Sequence, residues 1–243
     1  MPNLYGNTDD GTCSVTAQSS WANARDHSGS SVLTTSSVSS AALGVSRSAS
    51  RGGGSVYAVY RAFMYFDTSG ITGTVSSATI KIYGASENDG SAIAVKSTAF
   101  GGDVGTALAA TDFNNIVGFS AGSSLAGLAT DYSAAITTTG YSITGYNDFT
   151  GTADLRADMQ NNNVVIICLM DYTNDYLNSA LTSDLTLNIG GQYTEFGGSS
   201  TTKDPYIEYT LAGYGNNVNG VAAANISKVK GVATASIDKI IGV

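Results

Sequence analysis

Charge is scarce in this chain. Lys, Arg, Asp and Glu make up 12% of its 243 residues, about half the ~25% usual in soluble proteins. The 11 basic side chains are scattered without a stripe, which argues against a nucleic-acid partner. Histidine is rarer still: His27 stands alone in the polar stretch Arg25-Asp-His-Ser-Gly29. With no second base, nucleophile motif or metal partner beside it, a Ser-His-Asp triad or a four-ligand zinc set has no anchor. The expectation is therefore no enzyme, no metal and no cofactor. Cys13 and Cys168 are too few for a disulfide framework. Cys168 falls in an apolar run, where a thiol packs as a small hydrophobe, so two free thiols are expected. A 13–168 bridge is the alternative if the first and late strands are neighbours. Long apolar runs are missing too. The longest, Val164-Val-Ile-Ile-Cys-Leu-Met170, falls far short of the ~18 residues of a membrane span and reads as a buried strand. No apolar leader follows Met1. The expectation is synthesis in a host cytoplasm without a signal peptide, with exit by lysis or within a particle. The alternative is a signal peptide removed and replaced by an initiator Met.

Ser, Thr, Gly and Ala fill the space that charge vacates, but 14 Tyr, 7 Phe and many Val, Ile and Leu supply a core. The length suits one large domain with an appendage. Short β-like runs recur at Cys13–Ala17, Ser31–Thr35, Val56–Asp67, Val75–Gly84, Ile93–Thr98, Tyr141–Thr150, Val164–Met170, Leu185–Ile189 and Tyr206–Leu211. Helical turns are expected over Ala107–Phe113, Ser124–Tyr132 and Ala153–Met159, and a turn over Glu87–Gly90; Trp21–Asp26 reads as neutral toward helix. The clearest strand, Val56–Asp67, sets Tyr60, Ala62, Met64 and Phe66 on one face and Phe63 and Tyr65 on the other. Apolar groups on both faces predict a central strand covered on both sides. Strands at regular spacing with Gly, Asn and Ser turns between them predict an all-β fold. An antiparallel jelly-roll β-sandwich of about eight strands, occupying residues 1–213, fits the pattern.

The C-terminal end repeats. Val218-Asn-Gly-Val-Ala-Ala-Ala-Asn-Ile-Ser-Lys228 is followed by Val229-Lys-Gly-Val-Ala-Thr-Ala-Ser-Ile-Asp-Lys239, and Ile240-Ile-Gly-Val243 opens a third copy. The two full copies agree at seven of eleven positions, with Gly220, Gly231 and Gly242 keeping the period. So short a unit cannot bury its own Val218, Val221, Ile226, Val229, Val232, Ile237 and Ile240; it must stack on neighbours or on another chain. Residues 214–243 therefore read as an assembly or anchor tail, and the expected partners are copies of this chain, as in a trimer. Two backbones fit the period. One is a helical stripe, since eleven-residue repeats give right-handed supercoils. The other is an extended Val-x-Gly-Val piece followed by a turn or a short helical Ala-x-Ala-x-Ile-x-Lys, favoured by the glycine and β-branched content. Charge is also uneven. Residues 1–217 carry 8 basic and 18 acidic side chains, a net of −10, while the tail nets +2.

Arg61-Ala-Phe-Met-Tyr-Phe-Asp-Thr-Ser-Gly-Ile71, followed by Val75-Ser-Ser-Ala-Thr-Ile-Lys-Ile-Tyr83, resembles the core of DNRLRE-type domains. Those are β-sandwiches similar to carbohydrate-binding modules. Gly145-Tyr-Asn-Asp-Phe-Thr150, the Val164–Tyr172 strand and Asp204-Pro-Tyr-Ile-Glu-Tyr-Thr210 resemble later parts of the same domain. Tails of the "V-N-G-V-A-x-A-x-I-x-K" type are similar to those of tailed-bacteriophage structural proteins. The resemblance implies a jelly-roll body on the exterior of a virion, as a capsid decoration or a fibre or tail component, with other virion proteins as partners. Its alternative implication is a module that binds host or environmental polysaccharide.

Aromatic residues near loops are the candidate glycan contacts: Trp21, Tyr132, Tyr172, Tyr176 and Tyr193, with Tyr214 beside the tail. Tyr57, Tyr60, Tyr65, Tyr83, Tyr206 and Tyr209 fall in strands and read as core or sheet-surface packing. No compact aromatic motif marks a platform, so glycan binding is expected to be weak or absent. Asp9-Asp10 and Asp171-x-x-x-Asp175 read as turn caps, with Ca²⁺ as the alternative. Arg61 and Asp67 point to one face, where Arg61 is expected to form an ion pair or a hydrogen bond to a loop carbonyl.

Overall fold

The computed structural model describes residues 2–7, 9–28, 32–36, 41–102, 106–137, 139–192 and 203–212, with 228–229 and 232–233 of the tail. Within residues 2–212 the elements run β1 (Asn3–Tyr5), β2 (Gly11–Gln18), α1 (Trp21–Arg25), β3 (Leu33–Ser36), β4 (Gly44–Ala49), β5 (Ser55–Asp67), β6 (Val75–Asn88) and β7 (Ser91–Lys96). They continue β8 (Ile136–Thr137), β9 (Tyr146–Thr150), α2 (Ala153–Asn161), β10 (Val164–Asp171), β11 (Leu185–Gln192) and β12 (Tyr206–Leu211). Every pairing among these strands is antiparallel.

Two long strands organise the fold because each takes two partners end to end on one edge. β5 pairs with β4 through Ser55–Tyr60 and with β10 through Ala62–Asp67, while β2 runs along its other edge. β6 likewise pairs with β12 and then β11 on one edge and with β9 on the other. The result is a central sheet, β3-β2-β5-β10-β7-β8, and an outer sheet, β1-β12-β6-β9. β11 bridges them: Leu185–Asn188 pairs with β4 and Ile189–Gln192 with β6, with a register shift at Gly190/Gly191.

Strict alternation sends each central strand's side chains to two different cores. Ala62, Met64, Phe66, Ala92, Ala94, Val165, Ile167 and Leu169 pack against Ala78, Ile80, Ile82, Phe149, Ile207 and Tyr209 of the outer sheet. Phe63, Tyr65, Ile93, Val95, Ile166, Cys168 and Met170 face the opposite way, toward Trp21, Ala24, Phe100, Phe113, Leu125 and Tyr176. Those last residues belong to α1, the loop over 97–131 and a π-helical turn at Tyr172–Tyr176. The fold is thus an all-β antiparallel sandwich with a third layer, a loop cover, on the far side of the central sheet. The two-faced reading of β5 holds, and both cysteines are buried free thiols.

Several local expectations shift. β6 continues past Gly84 to Asn88, because β11 pairs with Tyr83–Glu87; the turn begins later, at Asp89 (φ 49°). Residues 124–130 form turns and bends in place of a helix, with Gly122 and Gly127 at positive φ interrupting any regular run. The expected turn over Ala107–Phe113 is a short 3-10 helix at Ala110–Asn114. β1, β4 and β8 were not expected from the sequence; each is held by its partner strand more than by its own composition. No helix among the described residues is long and apolar enough to cross a membrane.

Of the tail, Lys228–Val229 (β13) and Val232–Ala233 (β14) pair antiparallel, with Val229 opposite Val232. These four residues are extended. Val218, Gly220, Val221, Ile226, Gly231, Ile237, Ile240 and Gly242 lie outside the described residues.

Candidate functional site

The outer sheet buries one face and shows the other. On β6, Ile80 and Ile82 point into the core, so Lys81 and Tyr83 point out; on β12, Ile207 and Tyr209 point in and Tyr206 and Glu208 out. On β9, Asn147 and Phe149 are buried while Tyr146 and Asp148 face outward. Register then assembles the outward residues: Tyr83 lies opposite Tyr146, Lys81 opposite both Tyr206 and Asp148, and Tyr5 opposite Tyr206. Four partly exposed tyrosines from four strands form one stripe. Ring centres are 5.6 Å apart for Tyr5–Tyr206, 4.9 Å for Tyr206–Tyr146 and 5.3 Å for Tyr146–Tyr83. The Tyr146 hydroxyl donates to the Asp204 carbonyl at 2.9 Å. Burial lifts the Tyr146 and Tyr206 phenols above their ordinary range, so both remain neutral hydroxyls. Polar groups border the rings. Lys81 Nζ donates to both Asp148 oxygens at 2.7 Å and lies 3.8 Å from Glu208, and Lys203 Nζ sits 5.0 Å from the Tyr83 ring centre.

Beside Tyr146 the stripe is flanked by a cleft of about 530 Å³ between Ile136, Thr137, Gly140, Tyr141 and Asp148. Its wall is fixed by backbone contact. A Cβ at Gly84 would lie 1.9 Å from the Ser142 carbonyl oxygen, so only glycine lets this loop close on β6. Buried Asn147 accepts from Ser142 N at 2.7 Å and donates to its carbonyl at 2.9 Å. The Tyr83 hydroxyl donates to the Thr144 carbonyl at 2.6 Å and Tyr141 to the Gly190 carbonyl at 2.5 Å.

The loop aromatics singled out from the sequence lie elsewhere. Tyr132 is 1% exposed, its hydroxyl donating to Asp158 at 2.6 Å; Tyr176 is 3% exposed and donates to Asp131; Trp21 is 8% exposed and donates to Asn178. These three present no free ring face to a sugar. They plug the core because the loops that carry them fold down as the third layer. Half-buried Tyr172 stacks on Tyr176 with ring centres 5.4 Å apart, and Tyr193 and Tyr214 lie outside the described residues. The stripe tyrosines were the missed ones. Their only sequence signal was period-two alternation, which sets Tyr83 beside Lys81 and Tyr206 beside Glu208.

Other polar clusters are occupied by the fold. Arg61 makes a two-pronged contact with Asp175, 2.7 Å on each prong, and donates to the Phe113 and Arg25 carbonyls. Its partner is thus Asp175, with loop carbonyls added, while Asp67 instead accepts from Ser69 in its own turn. Asp171 caps the π-helical turn by accepting from Asn174 N at 2.6 Å. Asp10 accepts from Tyr65 N. No group of three or more His, Cys, Asp or Glu among the described residues is placed to hold a metal ion. A second cleft, about 430 Å³ beside Lys96 and Asn162, is lined by donors already committed to Asp158: Lys96, Tyr132 and Asn162 all bond to its carboxylate. No protein-family model matches this chain, and a search of curated proteins finds no relative.

Proposed function

We propose that this chain is a non-enzymatic structural protein of a tailed-phage virion, its sandwich displayed outward and its C-terminal repeat serving as the anchor. We further propose that the displayed body contacts glycans through the Tyr5–Tyr206–Tyr146–Tyr83 face. The observation that carries the contact role is that stripe and the cleft that flanks it at Tyr146. A pyranose ring has one face of C–H bonds that stacks on the electron-rich face of an aromatic ring, while its hydroxyls need the kind of polar border that Lys81, Asp148 and Glu208 supply. The site is also built on paired strands, so it is held in shape before a ligand arrives. The anchoring role rests on the repeat and on the position of β12. That strand lies between β1 and β6 in the outer sheet, and the repeat follows it in the sequence.

Two experiments test the halves separately. Immunogold labelling with an antibody to the body should decorate the outside of purified particles; unlabelled particles would sink the virion reading. Deleting residues 214–243 should leave thermal unfolding of the body nearly unchanged and abolish self-association or incorporation into particles. A truncated protein that misfolds, or one that still assembles, removes the anchor. For the contact role, native gels cast with soluble polysaccharides should retard the full chain but not its Tyr146→Ala variant.

A further inference from the structure

We infer that the ligand of the tyrosine face is a single, uncharged polysaccharide chain, not a crystalline glycan surface and not a polyanion; this rests on the glycan-contact reading above. The first reason is geometric. A crystalline surface offers one plane and needs coplanar rings to meet it. Here the successive planes turn by 42° from Tyr5 to Tyr206, 71° from Tyr206 to Tyr146 and 87° from Tyr146 to Tyr83. Only a chain free to rotate about each glycosidic bond can follow such a path. The three steps of 5.6, 4.9 and 5.3 Å are each comparable with the length of one sugar unit, and the cleft at Tyr146 opens beside the track.

The second reason is electrostatic. Lys81, at the centre of the face, already holds Asp148 and lies near Glu208. Asp148 is about half exposed, at 56%, and Glu208 is 29% exposed. Two carboxylates thus look out of the same patch as two ammonium groups, Lys81 and Lys203, so the patch carries no net positive charge to hold a uronate or sulfate. The carboxylates accept hydrogen bonds from the hydroxyls of a neutral sugar. A polyanion would in addition approach a body of net charge −10, which opposes association at low salt.

The test is affinity electrophoresis of the full chain in gels containing a neutral soluble polysaccharide (a galactomannan or mixed-linkage glucan) or a polyuronate, together with pull-down on crystalline cellulose and chitin. Retardation is expected in a neutral gel, with apparent affinity the same at low and high salt and no depletion by the crystalline solids. Tyr206→Ala and Tyr146→Ala should each weaken it about tenfold, a loss near 1.4 kcal/mol, at a temperature well below the unfolding transition of each variant and with the far-UV circular dichroism of the fold retained. Binding confined to the polyuronate and lost in high salt overturns the inference and leaves the glycan-contact reading standing. So does binding confined to the crystalline solids. Failure to bind any of these polymers overturns both.

Discussion

Replacing Asp175 by Asn tests whether the buried Arg61 network holds the loop cover onto the central sheet. Both side chains are fully buried. Arg61 also reaches the Phe113 carbonyl at 2.7 Å, Asn114 Oδ1 at 2.8 Å and the Arg25 carbonyl at 3.0 Å, so one guanidinium ties together the Ala110–Asn114 turn, α1 and the π-helical turn. Asn keeps the shape of Asp but removes the negative charge that faces both Arg61 and, at 3.5 Å, buried Arg25, leaving Arg61 as a buried cation whose remaining hydrogen-bond acceptors are neutral. Breaking a buried pair from one side costs about 3–5 kcal/mol; the three surviving acceptors place this case near 3. For a body of this size each kcal/mol lowers Tm by about 2–4 °C, giving a fall of about 6–12 °C. The chain has one tryptophan, Trp21, and it sits in α1 packed against Tyr57 of β5, so its fluorescence reports on the seam between the cover and the central sheet. Asp175→Asn should red-shift that emission below the main unfolding transition. Arg61→Met combined with Asp175→Leu should recover only part of the stability. It removes the unpaired Arg61 charge, but buried Arg25, 3.5 Å from the Asp175 carboxylate, loses that partner, and the Phe113, Asn114 and Arg25 oxygens lose their donor. A Tm fall under about 2 °C with native Trp21 emission would refute the reasoning.

Burial pushes the Asp171 carboxyl up to about 6, against ~3.9 in an unfolded chain. The folded state therefore holds a proton that the unfolded state has released, and stability falls as pH rises through 6. The urea-derived stability difference between wild type and Asp171→Asn should shift against wild type by about 2 kcal/mol between pH 4.5 and 7; a difference flat with pH argues that the carboxyl is ionised throughout. Burial, with Asp112 nearby, lifts the Cys13 thiol to about 12, and burial lifts Cys168 as well. Neither should react with a thiol reagent at pH 8 in the native protein, and both should react after denaturation. A linked 13–168 peptide in a non-reducing digest would contradict this. Gly84→Val should cost about 1–3 kcal/mol by overpacking against Ser142 and abolish glycan retardation. Gly70→Val, where an added Cβ meets nothing within 4 Å, is the control, and equal urea midpoints for the two variants would remove Gly84's role.

The sandwich was legible because its strongest strands carry their own periodicity. Val56–Asp67 and Val164–Met170 are apolar on both faces, which only a covered central strand explains, and the structure pairs them side by side. The weak strands were not legible. β1 and β8 hold three and two residues, too few for a period to show, and they exist because β12 and β7 offer open edges. The third layer was equally hidden. Its residues are Ala, Gly, Ser and Asp with occasional aromatics, and a polar loop that folds down reads in sequence like one that stays out. Trp21, Tyr132 and Tyr176 were placed with exposed loop aromatics for that reason. What distinguishes them is a partner distant in sequence, such as Asn178 for Trp21, 157 positions away.

The tyrosine face shows the same limit from the other side, and it bears on how the two proposed roles depend on each other. Tyr5, Tyr83, Tyr146 and Tyr206 are spread across the body's length, and only cross-strand register brings them together. Single aromatic contacts are worth about 0.5–1.5 kcal/mol beyond their area, so a stripe of four on an open sheet binds one chain weakly. Weak binding suffices if copies are linked. Joining modules raises the effective concentration for the second contact and strengthens attachment by about a hundred- to ten-thousand-fold without any new interaction. In the proposed reading the repeat provides that linkage. Loss of the tail should then weaken attachment to an immobilised polysaccharide far more than it weakens binding of a short oligosaccharide. Loss of Tyr146 should weaken both alike. A tail deletion that leaves both unchanged would mean the face acts alone, and the tail would have to be explained by assembly only.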